Sequence, residues 1–235
     1  MNRISLRQIV VPVLTVVTIV VNILANALPF NGIGTGEISD MFDVYFVPAG
    51  YVFSIWGVIY VALIAYSIYQ LLPSQRDNPR LRAIFWPYVI ISLANMAWLF
   101  MWHYLQFVLT VPIMLILLAG LIVIYLTLGV GRLRVRQGER WAVHLTFSIY
   151  LGWITVATVA NVTDLLDYLG WSGAPLPPEV WALIMLVVAT FLAGLMSLRH
   201  DDIAYVAVIV WAFIGIAVKQ WDTPLVAIAA LVLAA

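Results

Sequence analysis

The chain has 235 residues, of which 65% are hydrophobic and only 9% charged, and its formal net charge is zero. A soluble domain carries about 25% charged residues, so this composition excludes an ordinary soluble fold, and the neutral balance gives no support for nucleic-acid binding. There is no cysteine, which removes disulfides and thiolate metal sites.

A helix needs about 20 apolar residues to cross a bilayer. The first such stretch, residues 8–28, follows Arg3 and Arg7 as the core of a signal peptide would. It is long enough to span and lacks a clear small-residue cleavage site, so it reads as a retained first helix. Residues 29–47 form a loop rich in glycine and turn formers, with Glu37, Asp40 and Asp43. Further spans are expected at 50–72, 84–104, 107–129 and 141–163. A second long loop, 164–179, carries Gly170, Gly173 and the cluster Pro175, Pro177 and Pro178. Spans at 180–198 and 203–219 follow. Residues 223–235 are too short for a comfortable crossing and suit a tilted or half-inserted helix, or a span cut by the end of the chain. The sequence therefore predicts an all-α integral membrane protein, a polytopic helix bundle with no low-complexity tract and no convincing internal repeat.

The basic residues test this layout. Arg3 and Arg7, then Arg76, Arg80 and Arg82, then Arg132, Arg134, Arg136 and Arg140, and finally Arg199 all fall on one side if the spans alternate. Only Lys219 falls opposite. The positive-inside rule then places the N-terminus in the cytoplasm and both long loops outside. Long loops on one face often cover a site. No acidic or basic residue lies deep within the seven spans, which disfavours an ion-coupled pump. No phosphate loop, Ser-His-Asp set or metal motif is present, so a conventional hydrolase or metalloenzyme has little support.

Three spans carry a ladder of aromatic residues or asparagine on one helical face. The ladders are Phe53, Trp56 and Tyr60; Asn95, Trp98 and Trp102; and Tyr150, Trp153, Ala157 and Asn161. Steps of three or four residues keep each set within a stripe of roughly 80°. Polar side chains in lipid are costly and usually face protein or a cavity, so the stripes suggest one aromatic-lined pocket. Trp56, Trp98 and Trp153 offer flat faces to a planar ligand; ordinary helix packing or an interfacial aromatic belt is the plain alternative. Asn95 and Asn161 serve equally as ligand contacts or as interhelical glue worth ~0.6 kcal/mol. The glycosylation pattern Asn161-Val-Thr163 overlaps a helix end and reads as incidental. His103 is expected to be a polar cap rather than a metal ligand, His144 to point away from the pocket, and His200 to lie in a loop. Asp164, Glu37, Asp40 and Asp43 are expected to be solvated loop carboxylates.

The stretch Pro48-Ala-Gly-Tyr-Val-Phe-Ser-Ile-Trp-Gly-Val-Ile-Tyr60 resembles the second-helix signature of the tryptophan-rich sensory protein family (TspO/MBR, the translocator protein family). Leu93-Ala-Asn-Met-Ala-Trp98 looks like its third-helix Asn-x-x-Trp motif. Tyr150-Leu-Gly-Trp153 with Ala157 and Val159-Ala-Asn161 looks like its fifth-helix pattern. The three occur in family order. The departures are Gly57 where the family has Thr, no Trp in the first loop, Ala160-Asn161 for a Leu-Asn pair, and two or three spans beyond the usual five. The resemblance implies a TspO/MBR-like five-helix bundle over residues 1–170, with additional C-terminal transmembrane helices over 171–235.

It also implies a pocket for a tetrapyrrole such as a porphyrin, or a sterol-like lipid. The expected ligand-binding residues are Trp56, Tyr60, Asn95, Trp98, Tyr150, Trp153, Ala157 and Asn161. No cofactor is required, and the partners are the lipid bilayer and an apolar small molecule. Two other functions stay open. One is a structural or assembly subunit of a membrane complex or homo-oligomer, docking through Ala189, Ala193 and Gly194 on the sixth span. The weaker one is a membrane enzyme acting on a tetrapyrrole.

Overall fold

The computed structural model describes residues 5–28 and 30–235; Arg3, and Pro29 at the start of the first long loop, lie outside them. Among the described residues the secondary structure is entirely helical. Hydrocarbon offers no partner to backbone N–H and C=O groups, so each apolar stretch closes its hydrogen bonds within a helix. Six helices are long and apolar enough to cross a membrane: α1 (Leu6–Ala27), α2 (Gly50–Leu71), α3 (Phe85–His103), α4 (Phe107–Leu128), α5 (Gln137–Tyr168) and α6 (Pro178–His200). Two shorter apolar helices follow, α7 (Ile203–Lys219) and α8 (Pro224–Ala234). At 1.5 Å per residue the 17 residues of α7 reach about 25 Å, slightly less than the hydrocarbon core. The 11 residues of α8 do not span, and this helix folds back against α7 and α6.

Local chemistry sets the ends. The first turn of α2, Gly50–Ser54, is 3-10 helix, and α5 contains one turn of π-helix at Arg140–His144. Gly129 ends α4 in the left-handed conformation at φ +63°, which costs glycine little. Asp202 caps α7 by accepting from Tyr205 N. Ser148 on α5 donates to that same oxygen, Oδ1, while Oδ2 accepts from Tyr125 on α4 at 2.7 Å, so the cap joins three helices.

Contacts at each end agree with alternating crossings. At one end Arg7 donates to the carbonyls of Gln75 and Arg76, Arg80 pairs with Glu139 at 2.8 Å, and His200 Nδ1 meets the Val130 carbonyl at 2.9 Å. At the other, Lys219 pairs with Asp40 at 2.6 Å, Tyr45 donates to Glu179, and Gln220 donates to the Val44 carbonyl. The first is the Arg-rich face and the second the long-loop face.

Three expectations need correction. Asp164 is not a solvated loop residue: α5 runs on to Tyr168, and Asp164 is buried within it, 3% exposed. His200 is not in a loop: it is the last residue of α6 and is buried. Ala189 and Ala193 are not free for a partner, because α6 packs against α7 and α8 and both alanines are buried there; only Gly194 has open space beside it.

The C-terminal helices hold the start of α2. The Gly215 carbonyl accepts from Ala49 N at 3.0 Å, and Trp211 Nε1 donates to the Val52 carbonyl at 3.1 Å. A Cβ on Gly215 would lie 2.1 Å from Val52 Cγ2 and 3.1 Å from Pro48 Cβ. Gly215→Ala is therefore expected to destabilise the bundle by about 1–3 kcal/mol through overpacking. Gly194→Ala, in the interior of α6 with nothing within 4 Å of the new carbon, should not destabilise the bundle and should raise its stability by up to about 1 kcal/mol through helix propensity, read by thermal unfolding in detergent.

Candidate functional site

A cavity of about 600 Å³ opens among α1–α5 below the first long loop. This lies within the 300–1,000 Å³ typical of small-molecule sites. Trp56 on α2, Trp98 on α3 and Trp153 on α5 all line it, together with Phe53, Tyr60, Asn95 and Ala157. The aromatic rings brace one another. Trp56 stacks on Tyr60 with centroids 5.8 Å apart and meets Trp153 edge-on at 6.4 Å. Phe53 meets Trp153 edge-on at 5.7 Å, and Trp98 stacks on Trp102 at 5.2 Å. Edge-to-face and offset contacts of this kind favour fixed ring orientations, so the wall is pre-formed.

The polar groups of the stripes are tied into two chains. Asn22 Nδ2 on α1 donates to Asn95 Oδ1 at 2.8 Å, and Asn95 Nδ2 donates to the Tyr150 hydroxyl at 3.2 Å. Trp98 Nε1 donates to Asn161 Oδ1 at 3.1 Å, and Asn161 Nδ2 donates to Thr110 Oγ1 on α4 at 2.9 Å. Tyr150 and Asn161 are thus buried behind the wall, each 2% exposed, and neither belongs to the cavity lining. Asn95 does both jobs, bridging α1 to α5 and presenting an amide to the cavity. Asn161 is a buried mid-helix residue, which agrees with reading its glycosylation pattern as incidental.

The first loop roofs the cavity. Its short helix Thr35–Ser39 supplies Thr35 and Gly36 to the lining. Two bonds hold it to α3: Trp102 Nε1 donates to the Thr35 carbonyl at 3.2 Å, and His103 Nε2 lies 2.9 Å from Thr35 Oγ1. His103 is fully buried and latches the loop. Glu37 caps the same short helix by accepting from Gly34 N. His144 is buried near the Arg-rich face, outside the cavity lining. Among the described residues no three His, Asp or Glu side chains gather as a metal site.

The stripe on α1 was not singled out in the sequence. Thr15, Thr18 and Asn22 follow one another at steps of three and four and are all buried, and Asn22 lines the cavity. The signal was available: polar residues recurring at helical spacing inside an apolar span mark an inward face. Leu117 and Met114 on α4 also line the cavity, but nothing in an all-apolar helix distinguishes them.

A family model described as TSPO-like protein matches residues 8–235, and so includes the C-terminal helices. No curated protein and no solved structure matches the chain.

The Trp98–Asn161 bond joins α3 to α5 at the cavity wall. A double-mutant cycle of Trp98→Phe with Asn161→Leu, measured by unfolding in mixed detergent, should give a coupling of about 0.6–1.7 kcal/mol. A coupling of zero would show that the two side chains stabilise their helices independently.

Proposed function

The chain belongs to the TSPO-like protein family, and from that premise we propose that its cavity binds a planar apolar ligand, a porphyrin or other tetrapyrrole or a sterol-like lipid. The chain is an integral, multi-pass membrane protein of the TspO type. The observation that carries the ligand reading is the convergence of Trp56, Trp98 and Trp153, from three helices, on one cavity of about 600 Å³. Their indole faces suit a flat apolar molecule, and the amides of Asn22 and Asn95 supply the few polar contacts that orient it. Binding in this reading serves a sensory, regulatory or transport role. Residues 1–170 form the ligand-holding bundle, and residues 171–235 buttress it. The Arg-rich face is cytoplasmic by the positive-inside rule, so the roofed end of the cavity lies toward the opposite leaflet.

The test is a titration of the full chain in detergent with a porphyrin panel, read by quenching of its 10 tryptophans. Saturable quenching is expected, and a sterol that shares the site should compete. Trp56→Leu and Trp98→Leu, each against its own fluorescence baseline, should weaken binding about threefold to tenfold, the range of one aromatic contact. Non-saturable quenching, or affinities unchanged in both variants, would overturn the reading.

A further inference from the structure

A second, smaller recess lies on the long-loop face and shares no lining residue with the cavity. We propose that it binds a small organic ammonium group, a methylated or primary amine carrying a positive charge. The recess, about 90 Å³, lies between the first loop, the end of α5, the second loop and the start of α6. That is room for several water-sized groups and far too little for a planar macrocycle.

Its walls are aromatic and its charges are of one sign. Trp171 and Trp181 form a corner, with ring centroids 5.3 Å apart and planes at 55°. Tyr45 also lines the recess. Burial, and then the neighbouring Glu179, raise the Tyr45 phenol above its ordinary pKa, so it stays protonated and donates to Glu179 at 3.2 Å. Asp43 and Asp167 line the recess, and no Lys or Arg does. Among the described residues the two ion pairs are Arg80–Glu139 and Lys219–Asp40. Lys219 is thus engaged elsewhere, and among the described residues neither carboxylate has an ion-pair partner.

The corner is built rather than collapsed. Trp181 Nε1 donates to the Gly173 carbonyl at 2.7 Å, which fixes the ring. Gly173 sits at φ +79°, and a Cβ there would lie 3.2 Å from Trp181 Cδ1. The second loop therefore closes against the indole only with glycine at this position.

The chemistry selects among ligands. An anion is repelled by Asp43 and Asp167. A hard metal ion wants six or more oxygen ligands and gains little from indole faces. An apolar molecule leaves both carboxylates unused. A charged nitrogen bearing C–H groups suits both kinds of wall: indole rings attract a cation through their quadrupoles, and the exposed carboxylates of Asp43 and Asp167 supply opposite charge at the rim. The same group occurs on a choline or ethanolamine lipid head and on a free amine.

The test uses the full chain in nanodiscs of phosphatidylglycerol, titrated with tetramethylammonium chloride against matched sodium chloride. Saturation-transfer NMR from aromatic protons to the ligand methyls reads the contact. A saturable transfer signal is expected. The surface double variant Asp43→Asn with Asp167→Asn should weaken it at least tenfold, and Trp171→Leu about threefold or more. Neither change should alter porphyrin affinity, which separates failure of this site from failure of the cavity. Repeating the titration in phosphatidylcholine nanodiscs identifies the source: a fall in apparent affinity marks the lipid head as occupant, and no change marks a soluble amine. Absence of saturation in phosphatidylglycerol, or an affinity unchanged by both variants, would overturn the proposal.

Discussion

Two asparagine-centred hydrogen-bond chains hold the bundle around its cavity. In water such bonds exchange with solvent and contribute little; in hydrocarbon an unpaired amide has no alternative partner. Asn95 joins α1 to α5 through Asn22 and Tyr150, while Asn161 joins α3 to α4 through Trp98 and Thr110. Together these fix the rotation of four helices. That rotation turns the aromatic stripes of α3 and α5 inward, because Trp98 and Asn95 lie on one stripe of α3 and cannot be reoriented separately; α2, which carries Trp56, is set instead by its ring contacts with Tyr150 and Trp153.

The C-terminal helices extend the same logic. Apolar side chains gain nothing from leaving lipid for one another, so helices associate in membranes by close packing and backbone contact. Gly215 lets α7 approach the 3-10 turn of α2 closely enough to accept a bond from Ala49. Gly152 does the same between α5 and α7, where a Cβ would meet Val208 at 3.1 Å. Helix α7 therefore touches both helices that carry Trp56 and Trp153. A bundle of α1–α5 alone would leave the Ala49 amide, the first turn of α2 and one face of α5 without these partners.

The two faces are built from different chemistry. The Arg-rich face is closed by short turns, a buried Arg7 and the Arg80–Glu139 pair. The long-loop face is covered by folded segments that themselves make side-chain contacts: the Thr35–Ser39 helix over the cavity, and the second loop wrapped on Trp181. One end is closed by arginine contacts and the other by folded loops. The arginine pattern already separates the two faces along the chain; the folded loops add which segment covers which helix end.

Much of this was legible along the chain. Continuous apolar length decides that a segment must be a helix in lipid, so the spans fall within a few residues of their expected positions. The arginines predict which loops share a face, and the end-to-end contacts agree. The helical period alone puts Trp56, Trp98 and Trp153 each on one stripe. What the period cannot say is which stripes meet, because that depends on helix rotation and neighbour order. Only the tertiary structure joined Asn22 to Asn95, set Tyr150 and Asn161 behind the wall, and buried Asp164 within a longer α5. It alone brought Asp43, Asp167, Trp171 and Trp181 from three segments to one recess. Sequence fixes what each residue is compatible with at its own position; packing decides which distant groups become neighbours.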